Sequence, residues 1–173
     1  MAFTLPKKFV IGEKRFLVLR KNEIKLFEDK TTKVATFTYP RWAWFISFFT
    51  EIDEAVAKLV TGEQDIKLRL SIGGGWYVSV TSGYKCVDVR KFYWLPGVGE
   101  RPTKTGLGLR LSEWAKVQQI ARGIAEKHPA LAATQPCWMN EDHQNQEVVM
   151  ACSECNPFGD HGWLIDTTVT DTD

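Results

Sequence analysis

The chain has 173 residues, which is enough to bury one core or two small ones. It contains no apolar run near the ~20 residues that a bilayer crossing requires, and its first residues, MAFTLPKKF, lack the apolar segment of a secretion signal. We therefore expect a soluble intracellular protein, nuclear if its source is a eukaryote, with no membrane partner. Four cysteines in such a protein favour thiols or metal ligands over disulfides.

The formal net charge of +1 conceals a division along the chain. Residues 129–173 hold eight Asp and Glu and no Lys or Arg, so residues 1–128 carry all 22 basic residues against 13 acidic ones. A basic body with an acidic tail indicates a polyanionic partner. The alternative is an ordinary solvated surface of mixed charge.

Four strands are predicted at the start of the chain. Alternating apolar residues indicate two strands within Phe9–Asn22, separated by a bend at Gly12. The same pattern continues at Glu23–Glu28 and at Lys33–Thr38.

A helix is predicted next, from Tyr39 to Leu59, with Thr38 as its N-cap. Its apolar residues fall at helical spacing: Trp42, Phe45, Ile46, Phe49, Ile52, Val56 and Leu59. Because Trp44 and Phe48 lie on its flank, the helix is apolar around most of its circumference. It therefore needs cover from a second unit as well as from its own sheet.

That second unit follows the polar linker Val60–Asp65. Ile72-Gly73 corresponds to Ile11-Gly12, and Trp114, in a second helical stripe, corresponds to Trp42. We therefore predict an α+β fold of two tandem ββββα units with antiparallel sheets. The units span residues 1–62 and 66–128, their helices pack together as an intramolecular pseudo-dimer, and residues 129–173 form a separate tail.

The second unit carries the more informative stretch. A hairpin is predicted through Thr81–Lys85, and the long connection Leu95–Thr105 is predicted as a basic loop. Ser112 is the predicted N-cap of the second helix, which ends near His128-Pro129. This arrangement brings together cations, which contact phosphates, and aromatic rings, on which the bases of single-stranded nucleic acid stack. The residues are Tyr84, Lys85, Arg90, Lys91, Phe92, Tyr93 and Trp94.

Each of these residues also has a structural interpretation. Tyr93 and Trp94 are consistent with core residues, as Trp42 and Trp114 are predicted to be whatever the function. Arg90 could be an ordinary surface arginine or pair with Asp88 on the same strand. Lys104 could be a solvated loop lysine.

Several strings resemble the single-stranded-DNA-binding domain of the transcriptional coactivator positive cofactor four. In the second unit they are IGGGWYVSV, VDVRKFYW, RPTKTGLGL and SEW, and in the first FVIGEKRFLVLR and EIDEAVAKL. Together they cover residues 8 to about 128. The resemblance implies four antiparallel strands and a helix per unit, helix-to-helix pairing, and curved sheets that hold unpaired strands.

The resemblance also implies binding residues. Arg90 falls on the family's third-strand arginine, Tyr93 on the aromatic beyond it, and Lys104 in the basic run before the fourth strand. In the first unit, Arg20 matches the family's arginine at the end of the second strand, and Lys25 roughly matches its third-strand arginine. The candidate nucleic-acid-binding set is completed by Tyr84, Lys85, Trp94 and Arg101.

Some positions depart from the family pattern. Glu13 and Gly74 stand where the family has a lysine, and Thr81 replaces a second-strand arginine. The first unit also lacks the long connection between its third and fourth strands. We therefore expect the second unit to dominate binding.

The tail contains a set of soft metal ligands. Cys137, His143, Cys152 and Cys155 comprise one Cys-x-x-Cys pair and a more distant Cys and His, which suits tetrahedral zinc. His161 is a rival fourth ligand, and free thiols in a loosely packed tail are the alternative. A zinc ion would order a segment too small to build its own core.

The favoured function is a non-catalytic binder of single-stranded DNA, melted duplex or RNA, serving transcription or replication machinery as a monomer. No phosphate loop or catalytic set is recognisable. The runner-up is a protein-interaction module of the same duplicated fold that has lost strand binding. A metal- or thiol-dependent enzyme built on the tail is the third hypothesis.

Overall fold

A computed structural model describes residues 5–159. They form two four-stranded antiparallel sheets, each followed by helices, which confirms the predicted α+β class. The strands of each sheet follow chain order: β1 (Lys7–Gly12), β2 (Arg15–Leu19), β3 (Glu23–Glu28) and β4 (Val34–Thr38), then β5 (Lys67–Gly73), β6 (Trp76–Thr81), β7 (Cys86–Leu95) and β8 (Gly99–Arg110). No helix among these residues is long and apolar enough to cross a membrane.

The first predicted helix is interrupted. It consists of α1 (Tyr39–Ser47) and α2 (Phe49–Val60), with Thr38 accepting a hydrogen bond from the Arg41 N–H as its predicted N-cap. At the break, Ser47 Oγ donates to the Trp44 carbonyl and the Phe48 N–H donates to the Phe45 carbonyl. These i to i−3 bonds tighten the turn, so the prediction of one continuous helix was wrong.

The prediction of a loop over Leu95–Thr105 was also wrong for most of that stretch. β7 and β8 pair as far as Leu95 and Gly99, so only residues 96–98 form the turn. A shift in register between Arg90 and Phe92 allows Pro102 to lie opposite Phe92. Here three residues of β8, 103–105, lie opposite the single residue Lys91 of β7, so the irregularity absorbs two extra residues and accommodates a proline without a loop.

The second helix, α3 (Leu111–Lys127), has Arg110 as its N-cap and not the predicted Ser112. Glu113 occupies the third helical position and accepts the Arg110 N–H at 2.8 Å, which caps the first turn. The helix ends at Lys127, as the following proline predicted. The described tail contains α4 (Pro129–Ala132), two short 3-10 turns (Cys137–Met139 and Glu141–Gln144) and α5 (Gln146–Ala151).

A cluster of aromatic side chains lies between the helices. Phe45 stacks on Phe37 of its own sheet, with ring centroids 5.2 Å apart, and lies 5.8 Å from the Trp114 ring of α3. Trp42 and Trp114 are only 1% and 2% exposed, which confirms both as core residues. Trp114 Nε1 also donates to the Asp53 carboxylate at 2.8 Å, so its polar atom is satisfied. The first helix is therefore covered on two sides.

Two glycines of the second unit should respond oppositely to alanine. Gly106 has φ +150°, and a Cβ there would lie 2.4 Å from the Val89 carbonyl oxygen. We expect Gly106→Ala to lower the free energy of unfolding by about 1–3 kcal/mol, because the backbone must shift.

Gly123 in α3 has open space around its Cβ position, so Gly123→Ala should raise the free energy of unfolding by about 0.5–1 kcal/mol. Urea unfolding measures both, and equal midpoints would contradict the assigned strand register.

Candidate nucleic-acid interface and metal centre

The second sheet has one buried face and one open face. Val78, Val80, Val87, Val89, Leu107 and Leu109 are fully or almost fully buried. Alternation along the strands therefore turns Ser79, Asp88 and Arg90 to the opposite side. A groove of about 490 Å³ lies there, lined by Ser79, Thr81, Tyr84, Cys86, Asp88, Arg90, Phe92 and Pro102. We call this side the outer face of the second sheet.

Two rings and a cation form a platform on this outer face. The Tyr77 and Phe92 ring centroids are 4.9 Å apart, and the Arg69 guanidinium lies 5.2 Å from each. Glu100 Oε1 accepts the Tyr77 hydroxyl at 2.9 Å, and Glu100 Oε2 forms an ion pair with Arg69 Nη2 at 2.7 Å. Burial, aided by Glu100, raises the pKa of Tyr77, so its hydroxyl remains a neutral donor.

The first sheet carries a similar platform, in which Lys8 and Phe16 correspond to Arg69 and Tyr77, while its third member, Phe27, lies directly opposite Phe16. Lys8 Nζ lies 4.0 Å from the Phe16 ring centroid and 5.8 Å from that of Phe27, and the two rings are 5.6 Å apart. Lys8 pairs in register with Val18, two residues after Phe16. Arg69 pairs with Ser79, two residues after Tyr77. Both sheets therefore carry one cation over two adjacent rings.

Sequence reasoning did not select Lys8, Phe16, Phe27, Arg69 or Tyr77 as binding residues. Their common signal is position: each lies on a strand, out of phase with the buried residues. Period-two alternation predicts that face, but only the strand register shows which rings and cations become neighbours.

Arg90 is held by Asp88 of its own strand and by Thr103 of β8. Its Nε and Nη2 donate to both oxygens of the Asp88 carboxylate, at 3.0 and 2.9 Å, and its Nη1 donates to the Thr103 carbonyl at 3.1 Å. The ion-pair interpretation of Arg90 is therefore confirmed. A bidentate carboxylate neutralises the guanidinium and occupies most of its donors, so Arg90 is less available to a phosphate.

The other predicted residues of the second unit surround the groove or lie beyond its end. Tyr84 and Tyr93 are 68% and 44% exposed, so the core interpretation of Tyr93 was wrong. Trp94 is half-buried, with the ring centroid of Phe158 5.9 Å away. The basic members Lys85, Arg101 and Lys104 are all exposed.

The two predicted residues of the first unit differ in position. Lys25 lies opposite Val18 in the register, and Val18 in turn lies opposite Lys8. Lys25 therefore shares the face of the Lys8 platform. Arg20 is exposed beside the turn into β3, 3.8 Å from the Glu23 carboxylate.

The four predicted metal ligands come together. The donor atoms of Cys137, His143, Cys152 and Cys155 all lie within 4.8 Å of one another. Cys137 Sγ is 3.5 Å from His143 Nε2 and 3.6 Å from Cys152 Sγ. Zinc–sulfur bonds of about 2.3 Å place tetrahedral sulfurs about 3.8 Å apart, so the cluster fits such an ion. His161, the rival ligand, lies outside the described residues.

The electrostatics of the cluster also suit a cation. His143 Nδ1 lies 2.7 Å from the Asp142 carboxylate, which leaves Nε2 directed at the sulfurs, as second-sphere carboxylates do for metal-bound imidazoles. Against the effect of burial, hydrogen bonds from the Cys155 backbone and from His143 lower the pKa of Cys152 to about 7. Burial and the neighbouring Cys137 raise the pKa of Cys155 to about 12. A bound cation would stabilise all three thiolates.

Comparison with protein-family models, curated proteins and solved structures found no match to this chain. The function is therefore inferred from the two sites themselves.

Proposed function

We propose that the protein is a non-catalytic binder of single-stranded DNA, melted duplex or RNA that serves transcription or replication machinery. The observation that carries this proposal is the repeated platform, a cation over two adjacent rings on the outer face of each sheet. Bases of any sequence stack on rings, and each stacked base contributes about 1–3 kcal/mol.

Phosphate contacts would come from the exposed cations around the groove. Arg69 and Arg90 are tied to the carboxylates of Glu100 and Asp88, so both are less available to a polyanion. The cations left to meet phosphates are Lys85, Arg101 and Lys104, all of which are exposed. Lys91 is exposed too, but it lies opposite the buried Trp76 and so on the other side of the sheet. Phosphate contacts release counterions and make affinity depend steeply on salt.

The tandem duplication is part of the same proposal. Both sheets have the same strand order, and both have a register irregularity at the corresponding Ile-Gly step, between Val10 and Gly12 and between Ser71 and Gly73. With Phe45 lying between its own sheet and Trp114, the two units act as an intramolecular pseudo-dimer resembling a positive cofactor four dimer. Each chain then supplies two outer faces, and a sizing measurement should give a monomer.

The tail cluster is proposed as a structural zinc site held by Cys137, His143, Cys152 and Cys155. Zinc bound there would crosslink the short helices and turns of the tail. Four protein donors complete a tetrahedral shell and leave no position for a reacting water. This donor set therefore favours a structural role over a catalytic one.

Binding of a fluorescent oligothymidine, followed by anisotropy, tests the strand-binding proposal at the level of residues. Lys104→Ala and Lys85→Ala should each weaken binding and reduce the slope of log affinity against log salt by about 1. Arg90→Ala should change that slope less, because Asp88 already neutralises Arg90. Lys58→Ala, an exposed lysine on α2, is the matched control and should behave as the unaltered protein. Equal effects of all four variants would contradict the assigned face.

A second candidate is the protein-interaction module. It is favoured by an apolar groove of about 320 Å³ between α1, α3 and the tail, where Trp138 and Met139 are 51% and 47% exposed. This candidate replaces the first if the unaltered protein shows no oligonucleotide binding at low salt.

A further inference from the structure

The segment from Cys152 to Phe158, which we call the knuckle, is docked on the glycine turn between β5 and β6. The Gly74 N–H donates to the Glu154 carbonyl at 2.9 Å. The Glu154 carboxylate accepts an Arg41 N–H at 2.8 Å, and Arg41 also donates to the Thr36 carbonyl at 3.2 Å. Because the Arg41 side chain is only 10% exposed, this ion pair is well shielded from solvent. The knuckle is therefore joined to both units.

The glycine turn is shaped for this contact. Gly73, Gly74 and Gly75 have φ values of +100°, +64° and +84°, which side chains rarely adopt. A Cβ on Gly73 would lie 2.9 Å from both Glu154 Oε2 and the Trp44 ring. A Cβ on Gly74 would lie 2.5 Å from Arg41 Nη2. The three glycines therefore leave the space that Glu154 and Arg41 fill.

The corresponding turn of the first unit is completed without the tail. There Glu113, from the start of α3, lies against Gly12 and pairs with Arg15 at 3.0 Å. Trp42 and Trp114 are corresponding residues, so Arg41, which precedes Trp42, corresponds to Glu113, which precedes Trp114. Arg41 lies beside the glycine turn of the second unit, as Glu113 lies beside Gly12 of the first. A carboxylate is then missing beside that turn, and Glu154 of the knuckle supplies it.

The knuckle also reaches the candidate strand-binding set. The Phe158 ring centroid lies 5.9 Å from that of Trp94, and its edge would lie 3.9 Å from a Cβ on Gly75. Trp94 is opposite Glu100 in the register, and Glu100 holds the Tyr77 platform. Phe158 thus covers the end of the outer face.

Resting on the strand-binding function proposed above, we propose that the knuckle is a metal-dependent cover for the end of the second sheet's outer face. Cys152 and Cys155, two of the four ligands, are part of the knuckle, and Cys137 and His143 anchor it to the preceding turns. With metal bound, Glu154 stays on Arg41 and Phe158 stays on Trp94. Without metal, a segment this small has no core of its own to fix its shape, so its contacts with the turn weaken and Phe158 no longer covers the end of the outer face.

The test uses the full chain and a labelled oligothymidine at one low salt concentration. Affinity is measured for the zinc-loaded protein and again after zinc is removed with a chelator. We expect removal to tighten binding about fivefold or more, the lower end of what one stacked base contributes. Glu154→Gln and Phe158→Ala, which leave all four ligands in place, should tighten binding of the zinc-loaded protein in the same direction. Adding Trp94→Ala should abolish the gain.

Hydrogen exchange at the Gly74 amide gives a readout independent of nucleic acid. That amide donates to Glu154, so it should be protected in the zinc-loaded protein and exchange faster after chelation. Unchanged protection, or equal or weaker strand binding after zinc removal, would overturn the cover while leaving strand binding itself intact. If neither form binds the oligonucleotide, the proposed function fails and the cover fails with it.

Discussion

The Glu113→Ala variant is expected to lose about 3–5 kcal/mol of unfolding free energy, a large fraction of the stability of a protein of this size. Glu113 is 3% exposed, accepts an Arg15 N–H at 3.0 Å, and caps α3 through the Arg110 N–H. Arg15 is itself only 9% exposed. Removing the carboxylate leaves that buried guanidinium with Glu28 as its remaining acidic partner, at 3.1 Å. Urea unfolding measures the loss.

Two further variants separate the ion pair from general effects on α3. Glu126→Ala removes an exposed carboxylate from the same helix and should change the unfolding free energy by no more than about 0.5 kcal/mol. Replacing both partners with apolar residues, Arg15→Met with Glu113→Leu, should recover much of the loss, because no buried charge then lacks a partner. If Glu113→Ala unfolded at the same urea concentration as the unaltered protein, this account of the joint between the two units would be wrong.

The second large effect concerns the metal. We expect the purified protein to carry one zinc per chain and Cys152→Ser to lose most of it, since one of four converging donors is removed. Metal analysis measures the stoichiometry, and limited proteolysis should show faster cleavage of the tail in the variant. Zinc binding must displace protons from the thiols, most of all from Cys155, whose pKa is raised to about 12. Zinc affinity should therefore fall as pH falls.

Cys86→Ser is the matched control for the metal prediction. Cys86 is a half-buried thiol on β7, and its Sγ is not among the clustered donor atoms. This variant should retain zinc at the level of the unaltered protein. Purified protein without zinc that also fails to take up added zinc would contradict the site.

The sequence predicted those features that depend on local pattern. Period-two alternation located seven of the eight described strands and the second half of β8, and helical spacing identified Trp42 and Trp114 as buried. The spacing of Cys137, His143, Cys152 and Cys155 predicted a cluster that the fold does bring together. In each case the signal lies in the residue types and in the distances between them along the chain.

Features that depend on cross-strand neighbours were not predictable in the same way. The bulge between Arg90 and Phe92 converts an apparent loop into paired strands, and the pairing of Arg90 with Asp88 depends on side-chain directions around it. The platform of Arg69, Tyr77 and Phe92 draws on three strands, so no single stretch reveals it. The helix breaks before Phe49, where Ser47 Oγ donates to the carbonyl of the preceding turn. The spacing of apolar residues does not reveal that bond.

The most direct test of strand binding is the affinity of the unaltered protein for a single-stranded oligonucleotide at several salt concentrations. With about three phosphates meeting Lys85, Arg101 and Lys104 of the second sheet, we predict a slope of log affinity against log salt of about −2. A duplex of the same length should bind more weakly, because its stacked bases cannot reach the rings. No binding at low salt, or an affinity independent of salt, would contradict the central claim.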